Sequence, residues 1–456
     1  MTLQNKLKPR FYYILILSLV GFALIFIIPP FQTPDEQTHL YRAYQLSEGH
    51  LIADHLSYGA GGTLPTSLSD AFNKYSYLIF KPDNKVTLKY IRSTITAPLN
   101  STVRKETRFE NTAPYPPLGY LPQVIGISIG RIISANPVIL LYMARISNLL
   151  VWILGIWLCM KRQPKLSLAL FSFSLIPIVL YQASSASADV MASISAVFLT
   201  LEVFRITQSD TLITKKERLV VLCVGVILSL CKFPYVLLVL LVLLIQNDKF
   251  KSKKSALIFK LLAVLLPLSI TSAWLVVSMS SFVNLQPGVN TALQLHYILT
   301  EPINYIKVLF NTYATTNSDG LYIQMFGQLG WLDTKLPFWS IIFSGLSVTI
   351  ATISISIKPN RIKSFAKLGA IFVMISTILA ITSLLYLTWN TPRSNIVEGL
   401  QGRYFIPFIG IIIFIIGGQL ALSRQQSKKA SLLVYSLSGL TLISTISIIL
   451  LRYYHV

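Results

Sequence analysis

The sequence predicts an all-α polytopic integral membrane protein with about eleven transmembrane helices. The chain of 456 residues is 53% hydrophobic and only 12% charged, whereas about 25% of the residues of a typical soluble protein are charged. Apolar runs near the roughly 20 residues that a helix needs to cross a bilayer recur along the chain. In such a protein the net charge of +22 indicates basic cytoplasmic loops rather than nucleic-acid binding. We therefore predict one membrane domain over residues 1–456.

Short basic stretches separate the apolar runs and predict which face is cytoplasmic. They hold just over half of all Lys and Arg residues and few acidic residues, which is the composition of loops that stay inside. The first apolar run is expected to remain as a helix, because no small-residue cleavage site follows it. The basic stretches are residues 6–10, 161–165, 205–218, 247–254, 358–367 and 423–429.

Placing all of these stretches inside gives alternating crossings with the N-terminus inside and the C-terminus outside. The eleven spans are expected at residues 11–28, 138–160, 166–182, 188–205, 219–231, 233–246, 256–280, 336–357, 367–389, 404–422 and 431–451.

One apolar segment, residues 116–133, conflicts with this topology. If it crossed, there would be twelve spans and every later basic loop would move outside. It contains Pro122, three glycines and Arg131 within "PPLGYLPQVIGISIGRII". We therefore predict a re-entrant or interfacial helix on the outer face. It would belong to a long first extracytoplasmic loop with membrane-surface helices, residues 29–137.

Most acidic residues fall in the predicted outer loops, 29–137, 281–335 and 390–403. The stretch "PPFQTPDEQTHLYRAYQ" follows the first span directly, and its prolines end that helix. The residues from Asp35 onward predict a new helix with acidic residues at its positive end. Asp35, His39 and Arg42 would share one face. These residues and Glu36 are either a functional cluster or an acidic helix start with solvated side chains.

Other polar residues lie near the predicted outer ends of spans, and each also has an ordinary structural interpretation. Acidic residues there are common helix caps, a single His is usually structural, and cations at this depth often reach lipid phosphates. Several cations around one outer cavity would nevertheless suit an anionic lipid-linked substrate. The candidate substrate-binding residues are His39, Arg42, Arg145, Asp189, Lys232, Asp333, Arg403 and Tyr404.

Six short motifs, in order along residues 29–407, resemble the bacterial membrane proteins of domain-of-unknown-function family 2142. They are "PPFQTPDEQTHLYRAYQLSEG", "YPPLGYLPQ", "SASADV", "KFPYVLLVLL", "GWLDTKLP" and "QGRYFIP". That family is similar to the GT-C fold glycosyltransferases, whose catalytic acid follows the first span and which act on the outer face. The resemblance implies a multi-pass protein of the bacterial cell membrane that takes a polyprenyl (undecaprenyl) phosphate sugar as donor and an extracytoplasmic glycan as acceptor.

The mechanism implied is a one-step, inverting transfer. Asp35, or in second place Glu36, would act as general base on the acceptor hydroxyl. Arg403, with Lys232 or Arg145, would stabilise the leaving lipid phosphate. The reaction does not require a divalent metal; if Mg²⁺ or Mn²⁺ takes part, Glu36 and His296 are the candidate ligands.

Two other functions remain open. One is a transporter or flippase of lipid-linked glycans, which would need charged groups near the bilayer midplane or repeat symmetry. Neither feature is clear in the sequence, because Glu202, the one acidic residue well inside a predicted span, lies towards its inner end. The other is a polymerase or ligase of lipid-linked oligosaccharides, which only product analysis separates from addition of a single sugar.

Overall fold

The computed structural model describes residues 3–57, 59–96, 98–133, 136–315, 318–355, 364–417 and 422–455. This part of the chain is mostly helical. Its α-helices are α1 (Leu3–Ile27), α2 (Glu36–Ser47), α3 (Thr66–Asn73), α4 (Leu88–Ile95), α5 (Leu121–Ile132), α6 (Pro137–Arg162), α7 (Ser167–Ser174), α8 (Pro177–Ala183), α9 (Asp189–Gln208), α10 (Lys215–Ser229), α11 (Lys253–Val277), α12 (Thr291–Thr300), α13 (Pro302–Thr315), α14 (Ser318–Gly327), α15 (Phe338–Ile353), α16 (Ser364–Thr388), α17 (Ile409–Ile416) and α18 (Arg424–Tyr453).

Several 3-10 helices connect them. They are Ser76–Leu78, Pro117–Tyr120, Pro164–Leu166, Phe233–Leu244, Asn247–Lys249, Met279–Ser281 and Gly402–Phe408.

Transmembrane helices are present, as the composition predicts. Within the described residues, six helices are long and apolar enough to cross a membrane: α1 from Pro9 onward, α6, α9, α11, α16 and α18. A seventh span is possible if α7 and α8, which are bent by 86° at their break, count as one. The other predicted spans coincide with shorter helices, among them α15 and the 3-10 helix Phe233–Leu244. Since a 3-10 helix rises about 2 Å per residue, Phe233–Leu244 is roughly 24 Å long, somewhat less than the about 30 Å of a hydrocarbon core. The eleven-span topology therefore stays a prediction.

Segment 116–133 forms the short 3-10 helix Pro117–Tyr120 followed by α5. With 12 residues, α5 extends only about 18 Å, whereas a hydrocarbon core is about 30 Å thick. It packs closely on α6, where a side chain at Gly126 would collide with the carbonyl oxygen of Met143. The helix is therefore too short to span a membrane by itself; the face on which it lies stays a prediction.

Residues 29–137 also contain a small sheet that the all-α prediction missed. Strands β1 (Asp54–Leu56), β2 (Gly59–Pro65) and β3 (Arg104–Arg108) are antiparallel, with β2 in the centre. The central strand reads "GAGGTLP"; it has a single β-branched residue, Thr63, and no aromatic residue, whereas strands are normally rich in both. Its glycines instead allow close contact, because a side chain at Gly62 would meet Gln45 of α2. A second, two-stranded sheet pairs β4 (Gln328–Leu329) with β5 (Thr334–Lys335).

The two largest of three hydrophobic clusters among the described residues hold the bundle together. The larger one joins α1, α2 and α5 to α6–α8, and includes parts of α15 and α18. The second surrounds the 3-10 helix Phe233–Leu244, and joins it to α9, α10, α16 and α17. Helix α9 contributes to both, so its first residue, Asp189, is held between the two halves of the bundle.

Candidate functional site

A cavity of about 160 Å³, with charged side chains among mostly apolar walls, opens where the ends of several elements converge. Helices contribute three of its walls: the start of α2, the start of α9 and the end of α16. The others come from the segment after β3 and from the starts of the 3-10 helices Phe233–Leu244 and Gly402–Phe408. The structure brings together six of the residues singled out from the sequence: Asp35, His39, Asp189, Lys232, Arg403 and Tyr404.

The charged groups of the cavity form an alternating chain. Arg403 Nη2 lies 2.5 Å from Asp35 Oδ2, and Lys232 Nζ lies 2.7 Å from Asp189 Oδ1. Arg403 Nη1 links the two pairs, at 3.9 Å from Asp189 Oδ2. The side chain of Asp35 is 30% exposed, whereas those of Arg403, Asp189 and Lys232 are 15% exposed or less. Of these four charged side chains, that of Asp35 is therefore the one that an incoming molecule reaches most easily.

Asp35 does not belong to the helix that it precedes. It is the N-cap residue of α2, in a left-handed backbone conformation with φ of 61° and no side-chain cap hydrogen bond. This conformation is uncommon for residues other than glycine and is best tolerated by Asn and Asp. Asn111 Nδ2 donates to Asp35 Oδ1 over 3.1 Å. Sequence reasoning missed Asn111, because nothing local indicates a contact between residues so far apart in the chain.

Two aromatic rings fix the position of the lysine ammonium group. Lys232 Nζ lies 4.9 Å from the centroid of the Tyr404 ring and 5.4 Å from that of Tyr115. The Arg403 guanidinium carbon is 5.6 Å from the same Tyr404 ring. Such contacts stabilise a partly desolvated cation. The Tyr404 ring thus contacts both cations of the cavity.

His39 is buried at the side of the cavity. Its Nδ1 is 2.9 Å from the Tyr120 hydroxyl, and its Nε2 is 3.4 Å from the Ser187 hydroxyl. Burial lowers the pKa of His39 to about 4, although the nearby Asp189 and Asp35 carboxylates act in the opposite direction. The imidazole is therefore neutral at pH 7 and can exchange hydrogen bonds with its hydroxyl neighbours.

This pKa shift predicts acid sensitivity. Between pH 6.5 and about 4 an unfolded chain binds a proton at His39 that the folded protein does not, so stability falls as the pH decreases across this window. The loss is at most roughly 3 kcal/mol. We expect the melting temperature of the His39→Gln variant to fall less than that of the wild type between pH 7 and pH 4. His296→Gln, at an exposed histidine, is the control, and equal acid sensitivity in all three proteins would contradict the assignment.

Glu36 and Arg145 lie outside the cavity and form an ion pair without exposed side-chain surface. Arg145 Nη2 is 2.6 Å from Glu36 Oε2, and Arg145 Nε is 2.8 Å from Oε1. Arg145 also donates to the carbonyl oxygens of Ile25, Ile28 and Pro29, so it ties α2 to the end of α1. These positions do not support the predictions of Glu36 as a base and of Arg145 as a phosphate ligand. Both side chains are fully buried and paired with each other, so neither can contact a substrate in the cavity.

Arg42 also has a structural position. It is fully buried and donates to Gln45 Oε1 and to the carbonyl oxygens of His50 and Leu51. The expected shared face with Asp35 does not form, because Asp35 precedes the helix in a non-helical conformation.

Asp333 and His296 do not line this cavity either. Asp333 Oδ2 accepts from Arg452 over 2.9 Å and from the N–H of Phe80 over 3.1 Å. His296 is exposed on α12, whereas Glu36 is buried against Arg145, so these two predicted metal ligands do not meet. Among the described residues, no group of three or more His, Cys, Asp or Glu side chains is arranged to hold a metal ion.

Comparison with curated proteins found no match, and comparison with solved structures found none either. Residues 17–412 match the family described as "Predicted membrane protein (DUF2142)". This range begins within α1, at residue 17, and includes every charged residue of the cavity. The chain therefore belongs to the DUF2142 family of membrane proteins.

Proposed function

We propose that the protein is a GT-C-type membrane glycosyltransferase that moves a sugar from a polyprenyl phosphate to an extracytoplasmic glycan. The proposal rests on one observation above all: a charged cavity that continues into an apolar one. The apolar extension lies between α16 and the 3-10 helix Phe233–Leu244 and is lined by Pro234, Ile381, Leu384 and Leu385. It shares Lys232, Leu384 and Leu385 with the charged cavity, so the two are adjoining parts of one opening. A lipid phosphate has matching parts, a charged head and an apolar chain.

In the proposed reaction, the acceptor hydroxyl attacks the anomeric carbon of the donor sugar. Asp35 takes the hydroxyl proton as the new carbon–oxygen bond forms. The bond between the anomeric carbon and the phosphate oxygen breaks on the opposite side, which inverts the anomeric centre. The electron pair leaves with the lipid phosphate, whose charge Arg403 and Lys232 stabilise.

Both cations of this site are already paired with carboxylates, Arg403 with Asp35 and Lys232 with Asp189. A phosphate that binds the Arg403 guanidinium must therefore compete with Asp35. Its arrival would free an oxygen of Asp35 next to the donor sugar. Donor binding would thus precede, and promote, base catalysis on the acceptor.

Replacing Arg403 with Lys is expected to weaken the binding of undecaprenyl phosphate by about tenfold, because lysine keeps the charge but loses the planar fork that binds two oxygens. Binding to the purified protein can be followed by native mass spectrometry. Arg393→Lys is the matched control, since Arg393 pairs with Glu301 and its side chain is 70% exposed. If the two variants bind undecaprenyl phosphate with equal affinity, Arg403 is not part of the donor site.

One observation favours transport as a second candidate. The break between α7 and α8 resembles the discontinuous helices of transporters. Glu202, however, is buried against Arg162 and Arg205 rather than in the cavity. Vesicles that contain the protein, an undecaprenyl-phosphate sugar and a crude cell-wall acceptor distinguish the candidates. A transferase releases undecaprenyl phosphate, whereas a flippase moves the intact lipid between leaflets. The length of the glycan product separates polymerisation from addition of one sugar.

A further inference from the structure

A second, much smaller cavity lies beside the charged one. Arg403 and Asp189 contribute to the walls of both. The remaining polar walls come from Trp152 of α6, Gln182 of α8 and Ser193 of α9. Its volume is about 10 Å³, close to the minimum that holds one water molecule.

The polar atoms around this small cavity are unusual. Within the described part of the chain, Trp152 Nε1, both polar side-chain atoms of Gln182, and Arg403 Nε are buried without a hydrogen-bond partner. All three residues are less than 10% exposed. A buried donor or acceptor without a partner is costly, typically about 1–3 kcal/mol, and native proteins usually satisfy such groups. Three of these atoms, Trp152 Nε1, Arg403 Nε and Gln182 Oε1, have donor and acceptor roles that one small molecule in this cavity can satisfy together.

We infer that this cavity binds an ordered water molecule that joins Trp152 and Gln182 to Arg403, and that Trp152 and Gln182 are positioning residues for its guanidinium. One water has the required valences, because it can accept from the indole N–H and the Arg403 Nε–H and donate to Gln182 Oε1. A buried water usually makes about three hydrogen bonds.

The consequence concerns the phosphate-binding geometry. Arg403 Nη2 is bonded to Asp35 at the open side, over 2.5 Å. A water on Nε would fix the plane of the guanidinium from the closed side. Trp152 and Gln182 would then act through Arg403 without touching the substrate. This inference rests on the proposed donor site, but the water itself does not depend on it.

Two measurements test the inference. The first is an experimental density map at a resolution that shows ordered waters, which should contain a peak between Trp152, Gln182 and Arg403. The second compares binding of undecaprenyl phosphate with that of the neutral alcohol undecaprenol. Trp152→Phe removes the N–H together with the five-membered ring of the indole, and it is expected to weaken phosphate binding about tenfold, with no change for the alcohol. Gln182→Leu removes the acceptor and should have the same selective effect.

Trp157→Phe is the matched control, because Trp157 lies on the same helix but is 40% exposed. A map without this water overturns the site. Wild-type phosphate affinity in both Trp152→Phe and Gln182→Leu, or equal losses for phosphate and alcohol, overturns the positioning role. If the wild type shows the water but does not distinguish phosphate from alcohol, the proposed donor site and the positioning role are both wrong, whereas the water site stands.

Discussion

Replacing Asp35 with Asn is expected to lower sugar transfer by about 10²- to 10⁴-fold, the usual contribution of a general base. Asn has nearly the same shape but cannot take a proton at neutral pH. It also tolerates the left-handed conformation that the residue adopts, with φ of 61°. The protein should therefore stay folded, and undecaprenyl phosphate should still bind, because Arg403 and Lys232 remain.

The measurement is turnover of a panel of undecaprenyl-phosphate sugars by the purified protein, with a crude cell-wall acceptor. Asp83→Asn is a matched control, since Asp83 is an exposed acid in the same segment, residues 29–137. Wild-type turnover by Asp35→Asn would refute the base assignment and direct attention to Asp189, the other carboxylate of the charge chain.

Repeating the assay with EDTA tests the metal hypothesis separately. If the transfer depends on a metal ion, EDTA abolishes turnover; if it does not, turnover is unchanged.

The sequence predicted the members of the charge chain because each lies at the end of an apolar run. Asp35 follows the first run, Asp189 begins α9, Lys232 precedes Phe233–Leu244, and Arg403 opens the last segment of the cavity. When apolar segments cross the same bilayer, their ends lie at one level. Residues at such ends therefore come together without any local signal that names their partners.

The predictions that the structure does not support depended on knowing which side of an element is enclosed. Glu36 is adjacent to Asp35 in sequence, yet it is fully buried while Asp35 is partly exposed. The partner of Glu36, Arg145, lies on another helix, and its depth follows from the packing of α1, α2 and α6. The strand β2 was missed for a related reason, because its glycines have no side-chain pattern and are explained by close contacts such as that with Gln45.

The buried pair Glu36–Arg145 is expected to give the largest loss of stability. Neither side chain has exposed surface, so Glu36→Gln leaves a guanidinium without its counter-charge in the interior. Breaking one half of such a pair typically costs about 3–5 kcal/mol. We expect a strongly lowered melting temperature in detergent. Glu301→Gln is the control, because it breaks the largely exposed pair with Arg393, and exposed pairs contribute only about 0–1 kcal/mol.

Removing both charges separates this structural role from a catalytic one. Replacing a buried ion pair with apolar residues of similar size is often neutral for stability. Glu36→Leu combined with Arg145→Met should therefore recover part of the loss of Glu36→Gln, but not all of it, because the three carbonyl oxygens bonded to Arg145 lose their donor. If Glu36 is only structural, the folded fraction of the double variant transfers sugar at a rate near that of the wild type. A stable double variant without activity would instead indicate that Glu36 takes part in the reaction. A Glu36→Gln protein as stable as the wild type would show that the pair does not hold α2 against α1.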